Sequence, residues 1–311
     1  MNGNIIKLRD RLYQYSEESS KNIDILENES MRLHTTFKIG GRAGMYVRPG
    51  DTDSLIHTVS AAEELGVRIF IMGNGSNLLF DDGGFDGVVI STEKMNSVMI
   101  DGEYLTAGAG AMLSSCAVSA RDNALSGMEC LYGIPGTVGG AVFMNAGAYG
   151  GEMKDIVIRT EYYDRAEKRI KTIEGDEHSF GYRESIFRHN EGVILSSTFK
   201  LKKDATEEIN ARMADYKGRR ISKQPLEYPS AGSTFKRYPG RYTAQMIDEA
   251  GLKGLSVGGA QISEKHAGFV INRGGATSDD VLKLINTVKE RIRELYGIDI
   301  ECEVIYVSDH E

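Results

Sequence analysis

The 311-residue sequence predicts an α+β protein of two domains, and three observations carry that expectation. Short helical and strand patterns alternate from about residue 31 to 200. Pro225 and Pro229 then interrupt the chain, because proline breaks both helices and sheet ladders. Beyond them a long amphipathic helix, "TSDDVLKLINTVKERIRELYG", is followed by a strand, "IDIECEVIYV". The expected boundaries are a lead-in at 1–30, a first domain at 31–202 and a second at 203–311.

Each element has its own signal. Ile5, Leu8 and Leu12 stand at helical spacing in the otherwise polar lead-in, which is expected to be peripheral. "TDSLIHTVSAAEELG" places Leu55, Val59, Ala62 and Leu65 on one helical face, stops at Gly66 and feeds the apolar strand "VRIFIM". Strands "GVVIS", "SVMI" and "EYLTAGA" follow, the last two joined by the turn Asp101-Gly102. Residues 111–125 are helical through Leu113, Cys116 and Ala120, ending at Gly127. "IVIRTEYYD", "RIKTI" and "GVILSSTFKL" give three more strands around a turn at Asp164–Lys168, and "TEEINARMADYKGRRI" gives a polar helix. In the last helix Thr277 and Asp280 have capping-box spacing, and Val281, Ile285, Val288, Ile292 and Leu295 form the apolar stripe.

Composition excludes several functions. The formal charge of -8 without a Lys/Arg block leaves no footprint for nucleic acid. Cys116, Cys130 and Cys302 fit neither a disulfide framework nor a metal motif, so no metal is expected and a reducing cytoplasm suits the chain. No apolar run is long enough to span a bilayer, and no obligate protein partner is implied.

Chemistry concentrates in two glycine clusters. "GIPGTVGGAVFMNAGAYGG" holds seven glycines in nineteen residues and no charged side chain, in a chain that is 26% charged. Such a run weakens regular structure and lets another group approach the main chain. Upstream, the strand ending in Met72 meets Gly73-Asn74-Gly75-Ser76-Asn77. The third glycine and immediate helix of a dinucleotide fingerprint are missing, and Asp81-Asp82 would repel phosphate. What remains is a nest of backbone N–H groups, with Ser76, Asn77, Thr137 and Asn145 as neutral donors and Tyr132 and Tyr149 as stacking faces. Structural turns give the same pattern. Two such loops together suit a ligand with a diphosphate and a planar ring.

The segments "MGNGSNLLFDDGGFDGVVI" and "GMECLYGIPGTVGGAVFMNAGAYGGE" closely resemble the FAD-binding segments of the UDP-N-acetylenolpyruvoylglucosamine reductase family. The likeness continues through "TTFKIGGRA", "FGYRESIF", "AGSTFK" and "LKGLSVGGAQIS" to "IECEV", and so covers most of the chain. It implies a two-part FAD-binding domain of the vanillyl-alcohol-oxidase kind (31–202) followed by a smaller α+β substrate domain (203–311). FAD contacts are implied at Gly73, Asn74, Gly75, Ser76, Asn77, Leu78, Gly136, Thr137, Gly139, Gly140, Ala141, Asn145, Gly147, Ala148 and Tyr149. His34, His57, His178, His189, His266 and His310 all lie outside the two loops, so the FAD is expected to be noncovalent.

The implied reaction reduces UDP-N-acetylglucosamine enolpyruvate to UDP-N-acetylmuramate with NADPH, a cytoplasmic step of peptidoglycan synthesis and hence of cell-wall biogenesis, cell shape and division. Hydride comes from N5 of reduced FAD. Arg183 matches the family's catalytic arginine, whose planar fork would hold the substrate carboxylate and enolate; from spacing alone it reads as a surface ion pair with Glu184. Ser233 matches the proton donor, although most serines after glycine cap turns. Glu303 matches the third catalytic residue, and period two places it with Glu301, Ile305 and Val307 on one strand face. Lys223 and Lys236 are candidate substrate contacts, or simply solvated lysines. No room exists between Arg183 and Ser233 for the inserted tyrosine loop of the longer class, so the resemblance is to the shorter class. Arg237-Tyr238 departs from the Asn or Pro common after "STFK". An FAD-dependent oxidase of the same fold acting on an alcohol or sugar would share the loops but not the set Arg183, Ser233 and Glu303.

Overall fold

The computed structural model describes residues 2–309 and divides into two units that are each discontinuous in sequence. One comprises the chain up to Glu27, Met45–Asn74 and Gly87–Arg220. The other comprises Asn28–Gly44, Gly75–Asp86 and the described chain from Ile221.

The chain begins with α1 (Gly3–Ser19), then β1 (Ile23–Ser30), β2 (Arg42–Pro49), α2 (Thr52–Glu64), β3 (Ile69–Met72), β4 (Leu78–Phe80) and β5 (Phe85–Ser91). Strands β1, β2, β5 and β3 form a sheet in that order, with β3 parallel to β5. The lead-in is not peripheral, which corrects the sequence expectation. Ile5, Leu8 and Leu12 are fully buried and share a core with Leu55, Val59 and Ala62 of α2 and with Val88 and Ile90 of β5. Three apolar residues on one turn-spaced face are enough to draw a polar helix into a core.

A second sheet follows from β6 (Val98–Asp101), β7 (Tyr104–Gly108), α3 (Leu113–Asp122), β8 (Leu125–Ser126), α4 (Val138–Phe143), β9 (Gly147–Ala148), β10 (Gly151–Glu152), β11 (Val157–Asp164), β12 (Arg169–Glu174), β13 (Val193–Lys200), β14 (Lys202–Lys203) and α5 (Thr206–Lys223). Its antiparallel order is β12-β11-β13-β7-β6. Ile209 and Met213 of α5 enter its core. That burial keeps α5 through Arg220 in the first unit, so the division differs from a cut at 202/203.

The second unit contains α6 (Thr243–Glu249), β15 (Ser256–Val257), β16 (Ala260–Ile262), β17 (Val270–Asn272), α7 (Ser278–Tyr296) and β18 (Ile305–Val307). Val281, Leu284, Ile285, Val288 and Ile292 of α7 are buried in its core, whereas Leu295 is 47% exposed and off the expected stripe. Phe37, Ile39 and Leu79 belong to that same core, and β4 pairs in parallel with β18, which explains why two early segments join this unit. Asp82 Oδ2 accepts from the N–H and Oγ of Ser278, so an acid expected to repel phosphate instead caps α7. Among the described residues no helix is long and apolar enough to cross a membrane.

The capping box is present: Thr277 Oγ1 accepts from the Asp280 N–H at 3.0 Å, and Asp280 Oδ2 accepts from the Thr277 N–H at 3.1 Å. Thr277→Ala is expected to destabilise the second unit by about 1 kcal/mol while Thr277→Ser does not. A denaturant midpoint equal in the two variants would contradict this.

Candidate functional site

In the first unit the two glycine loops meet through close backbone packing. A Cβ on Gly73 would stand 2.1 Å from Thr137 Oγ1, so only glycine fits without displacing that hydroxyl. Asn74 Nδ2 donates to Pro135 O at 2.7 Å. Thr137 precedes α4, is 2% exposed, and its buried Oγ1 makes no hydrogen bond among the described residues. The N–H groups of Gly73 and Asn74 likewise donate to no described protein atom. Leaving the buried Thr137 hydroxyl unpaired carries a desolvation cost, so it and the neighbouring half-buried amides fit an anionic, oxygen-rich ligand of the FAD type.

The second loop is packed from outside by α5. Tyr216 stacks on Tyr149 with ring centroids 4.9 Å apart and planes 7° apart. Arg220 lies against Gly133, where a Cβ would come within 2.7 Å of its Nε. Burial holds the Arg220 guanidinium below its ordinary pKa, opposed by its interactions with Tyr149. Sequence reasoning missed this pair. Its signal was Tyr216 and Arg220 at i, i+4 on one helix face, inside a stretch that reads as a solvated helix end. Arg212 anchors the same helix by donating from Nε and Nη2 to Glu129 Oε1, a buried carboxylate that also receives the Ser126 hydroxyl and Gly127 N–H. Burial pushes the Glu129 carboxyl up, and these hydrogen bonds outweigh it and hold its pKa low.

Arg183 lies at the tip of a tight turn. Gly181 N–H donates to Glu184 O at 3.1 Å and Glu184 N–H to Gly181 O at 3.2 Å, closing the turn around Tyr182 and Arg183. Arg183 has φ 57°, a left-handed conformation that costs an arginine about 1–3 kcal/mol. Its Nη2 approaches Gly147 O at 3.4 Å, and its guanidinium lies 5.1 Å from the Tyr182 ring centroid. Glu184, the partner that spacing suggested, is engaged by Arg188 and His189. Asn145 corrects another expectation. It is fully buried, and its Nδ2 donates to Gly181 O at 2.8 Å and Glu152 Oε2 at 3.0 Å, so both donor directions are used inside the protein.

The second unit holds Ser233, Glu303, Lys236, Lys223 and Asn77. Ser233 follows Gly232, whose φ is 75°, and is half-buried. The next residue, Thr234, is fixed by its N–H to Gly268 O at 2.8 Å and by the Val270 N–H to its Oγ1 at 3.0 Å. Glu303 N–H donates to Thr234 O at 2.8 Å, which brings the Glu303 and Ser233 backbones together. Asn77 Nδ2 donates to Glu303 O at 3.0 Å. Glu303 lies outside β18, which starts at Ile305, and flanks an isolated antiparallel bridge between Cys302 and Phe235. Lys236 pairs with Glu301 at 2.9 Å, and Lys223 is exposed at the end of α5. Among the described residues no cluster of His, Cys, Asp or Glu could hold a metal; His310 lies outside the described residues.

Comparison with known proteins agrees with this division of labour. A model described as "FAD binding domain" matches residues 43–174, and one described as "UDP-N-acetylenolpyruvoylglucosamine reductase, C-terminal domain" matches residues 224–307. The UDP-N-acetylenolpyruvoylglucosamine reductase of Caldanaerobacter subterraneus subsp. tengcongensis is 45% identical over 282 residues, covering 91% of this chain and 93% of that protein. The enzyme of the same name from Pseudothermotoga lettingae is 46% identical over 283 residues, covering 90% and 97%. The crystal structure of UDP-N-acetylenolpyruvylglucosamine reductase from Thermus caldophilus matches with a TM-score of 0.78 and 34% identity, covering 93% of this chain and all of that one.

Gly73→Ala is expected to drive its new methyl into Thr137 and to lower the flavin content of the purified protein, read from its visible absorbance, with secondary structure unchanged by circular dichroism. Full flavin occupancy would show that the Gly73–Thr137 contact is dispensable.

Proposed function

The chain belongs to the UDP-N-acetylenolpyruvoylglucosamine reductase family, and from that we infer that it reduces UDP-N-acetylglucosamine enolpyruvate to UDP-N-acetylmuramate with NADPH. The observation that carries this reading is one chain matching an FAD-binding domain and the reductase's own C-terminal domain in succession. Bound FAD supplies a carrier that takes hydride from NADPH and delivers it to the enolpyruvyl double bond. The reaction belongs to peptidoglycan precursor synthesis, in the cytoplasm, where three free cysteines and an acidic surface are at home.

The chain's own residues divide the remaining work. The glycine loops hold the cofactor noncovalently, with Thr137 Oγ1 and the Gly73 and Asn74 amides as donors. Arg183 grips the substrate carboxylate through two parallel N–H bonds, and its hold strengthens as negative charge spreads onto that carboxylate in the transition state. The left-handed strain at Arg183 supports a functional role, since such strain persists where function needs it. Ser233 gives the proton to the carbon beside the carboxylate, and Glu303 stabilises the same enolate. Their adjoining backbones support that pairing. Lys223 is the free-standing candidate for a substrate phosphate, whereas Lys236 must first leave Glu301.

Anaerobic NADPH should bleach the flavin of the purified enzyme, and UDP-N-acetylglucosamine enolpyruvate should then restore the colour; no recovery would sink the assigned substrate. Arg183→Lys keeps the charge but loses the planar fork, so bleaching by NADPH survives and recovery by substrate slows sharply. Equal damage to both would point to a role in folding or cofactor binding. Ser233→Ala should likewise leave bleaching intact and slow recovery by about a hundredfold or more, with Ser233→Cys regaining part of the loss. A wild-type recovery rate in the alanine variant would make Ser233 a turn residue.

A further inference from the structure

The structure assigns to Asn145 the task of positioning Arg183, through the carbonyl of Gly181. This rests on the reading that Arg183 grips the substrate carboxylate. Asn145 lies between α4 and the β9–β10 hairpin, with φ 43°, a left-handed conformation that asparagine tolerates better than most residues. Its carboxamide is fully buried, and its orientation is fixed by its neighbours: Nδ2 faces two acceptors, Gly181 O and the Glu152 carboxylate, while Oδ1 accepts from the Lys154 N–H at 3.0 Å. Flipping the amide would set an acceptor against two acceptors.

Gly181 O is also the acceptor that closes the Arg183 turn, since it receives the Glu184 N–H. The turn cannot therefore shift without breaking the Asn145 bond. A second tie holds the C-terminal side, where Ser185, fully buried, donates from Oγ to Phe143 O at 2.8 Å. Both ties end on the segment formed by α4 and the residues just after it. The segment that carries the glycine loop thus also sets the height and rotation of the Arg183 turn. Asn145 touches no substrate in this account and is a positioning residue, so its loss should move the step that uses Arg183 and spare flavin retention.

Asn145→Gly isolates the carboxamide, because glycine keeps the left-handed backbone without strain. Asn145→Asp keeps the shape and replaces two donors by a carboxylate oxygen. Both holoenzymes should retain their flavin. Amide hydrogen exchange at Gly181 and Glu184, measured without substrate, should accelerate by roughly tenfold or more. Reoxidation of the reduced enzyme by UDP-N-acetylglucosamine enolpyruvate should slow by at least about tenfold while reduction by NADPH changes by less than about threefold. In an Arg183→Lys background, Asn145→Gly should add less than about a twofold further loss, the non-additivity expected of residues acting as a unit. Unchanged exchange at both amides, equal damage to the two half-reactions, or fully additive losses would each overturn the assignment. A wild-type reoxidation rate in Arg183→Lys alone would sink the carboxylate reading, and the exchange result would still decide whether Asn145 holds the turn.

Discussion

A buried hydroxyl must find an acceptor or a donor, or the folded state carries the cost of having stripped it of water. Thr137 Oγ1 is such a group, one of five buried side-chain atoms without a hydrogen-bond partner among the described residues. Gly73 is glycine because a methyl there would collide with it. Gly139 N–H donates to Ala109 O and Val138 N–H to Ala111 O, while Gly136 O accepts from Leu113 N–H, so the chain on either side of Thr137 is tied to the segment that follows β7. The absence of charge from the loop is compatible with a diphosphate ligand, since amides and hydroxyls can solvate one without a counter-charge that would itself need pairing.

Strain is the complement of that constraint. Arg183 sits at φ 57°, Tyr149 at φ 54° and Asn145 at φ 43°, three of the five non-glycine residues from 145 to 183 that hold left-handed backbone. Each is held by more than its own dihedral preference: Tyr149 by its stack on Tyr216, Asn145 by three hydrogen bonds, and Arg183 by the paired bonds of its turn. Rigid surroundings that over-determine a few unfavourable torsions present a side chain in one orientation before ligand arrives, which lowers the ordering cost at binding.

Periodicity made the regular elements legible. α2 and α7 fall where apolar spacing predicts them, α5 falls on the expected polar helix, and the Asp101-Gly102 and Asp164–Lys168 turns join the expected strand pairs. Family resemblance made FAD and the reductase activity legible where composition alone stopped at an anionic ligand. Three things were not. The lead-in helix was judged by its polar majority although three buried residues decide its place. Period two runs through Glu303 without a break, whereas the chain makes one bridge at Cys302 and then a separate strand from Ile305, a switch of partner that sequence does not show. Asn145 looked like a free donor because sequence shows a side chain's capacity and not the partners, Gly181 and Glu152, that have already claimed it.

The interleaving of the two units has a consequence for how the chain is made. Phe37, Ile39 and Leu79 emerge early in synthesis, yet their core is supplied by residues 231–304, and β4 waits for β18, some 225 positions later. Domains otherwise tend to fold in the order in which they leave the ribosome. Here the first unit acquires most of its own chain while two apolar segments of the second hang from it unpaired, until the last ten described residues have been added. A nascent chain stalled near Arg220 would carry those segments as adhesive surface, so vectorial synthesis keeps an aggregation hazard open until β18 has been made.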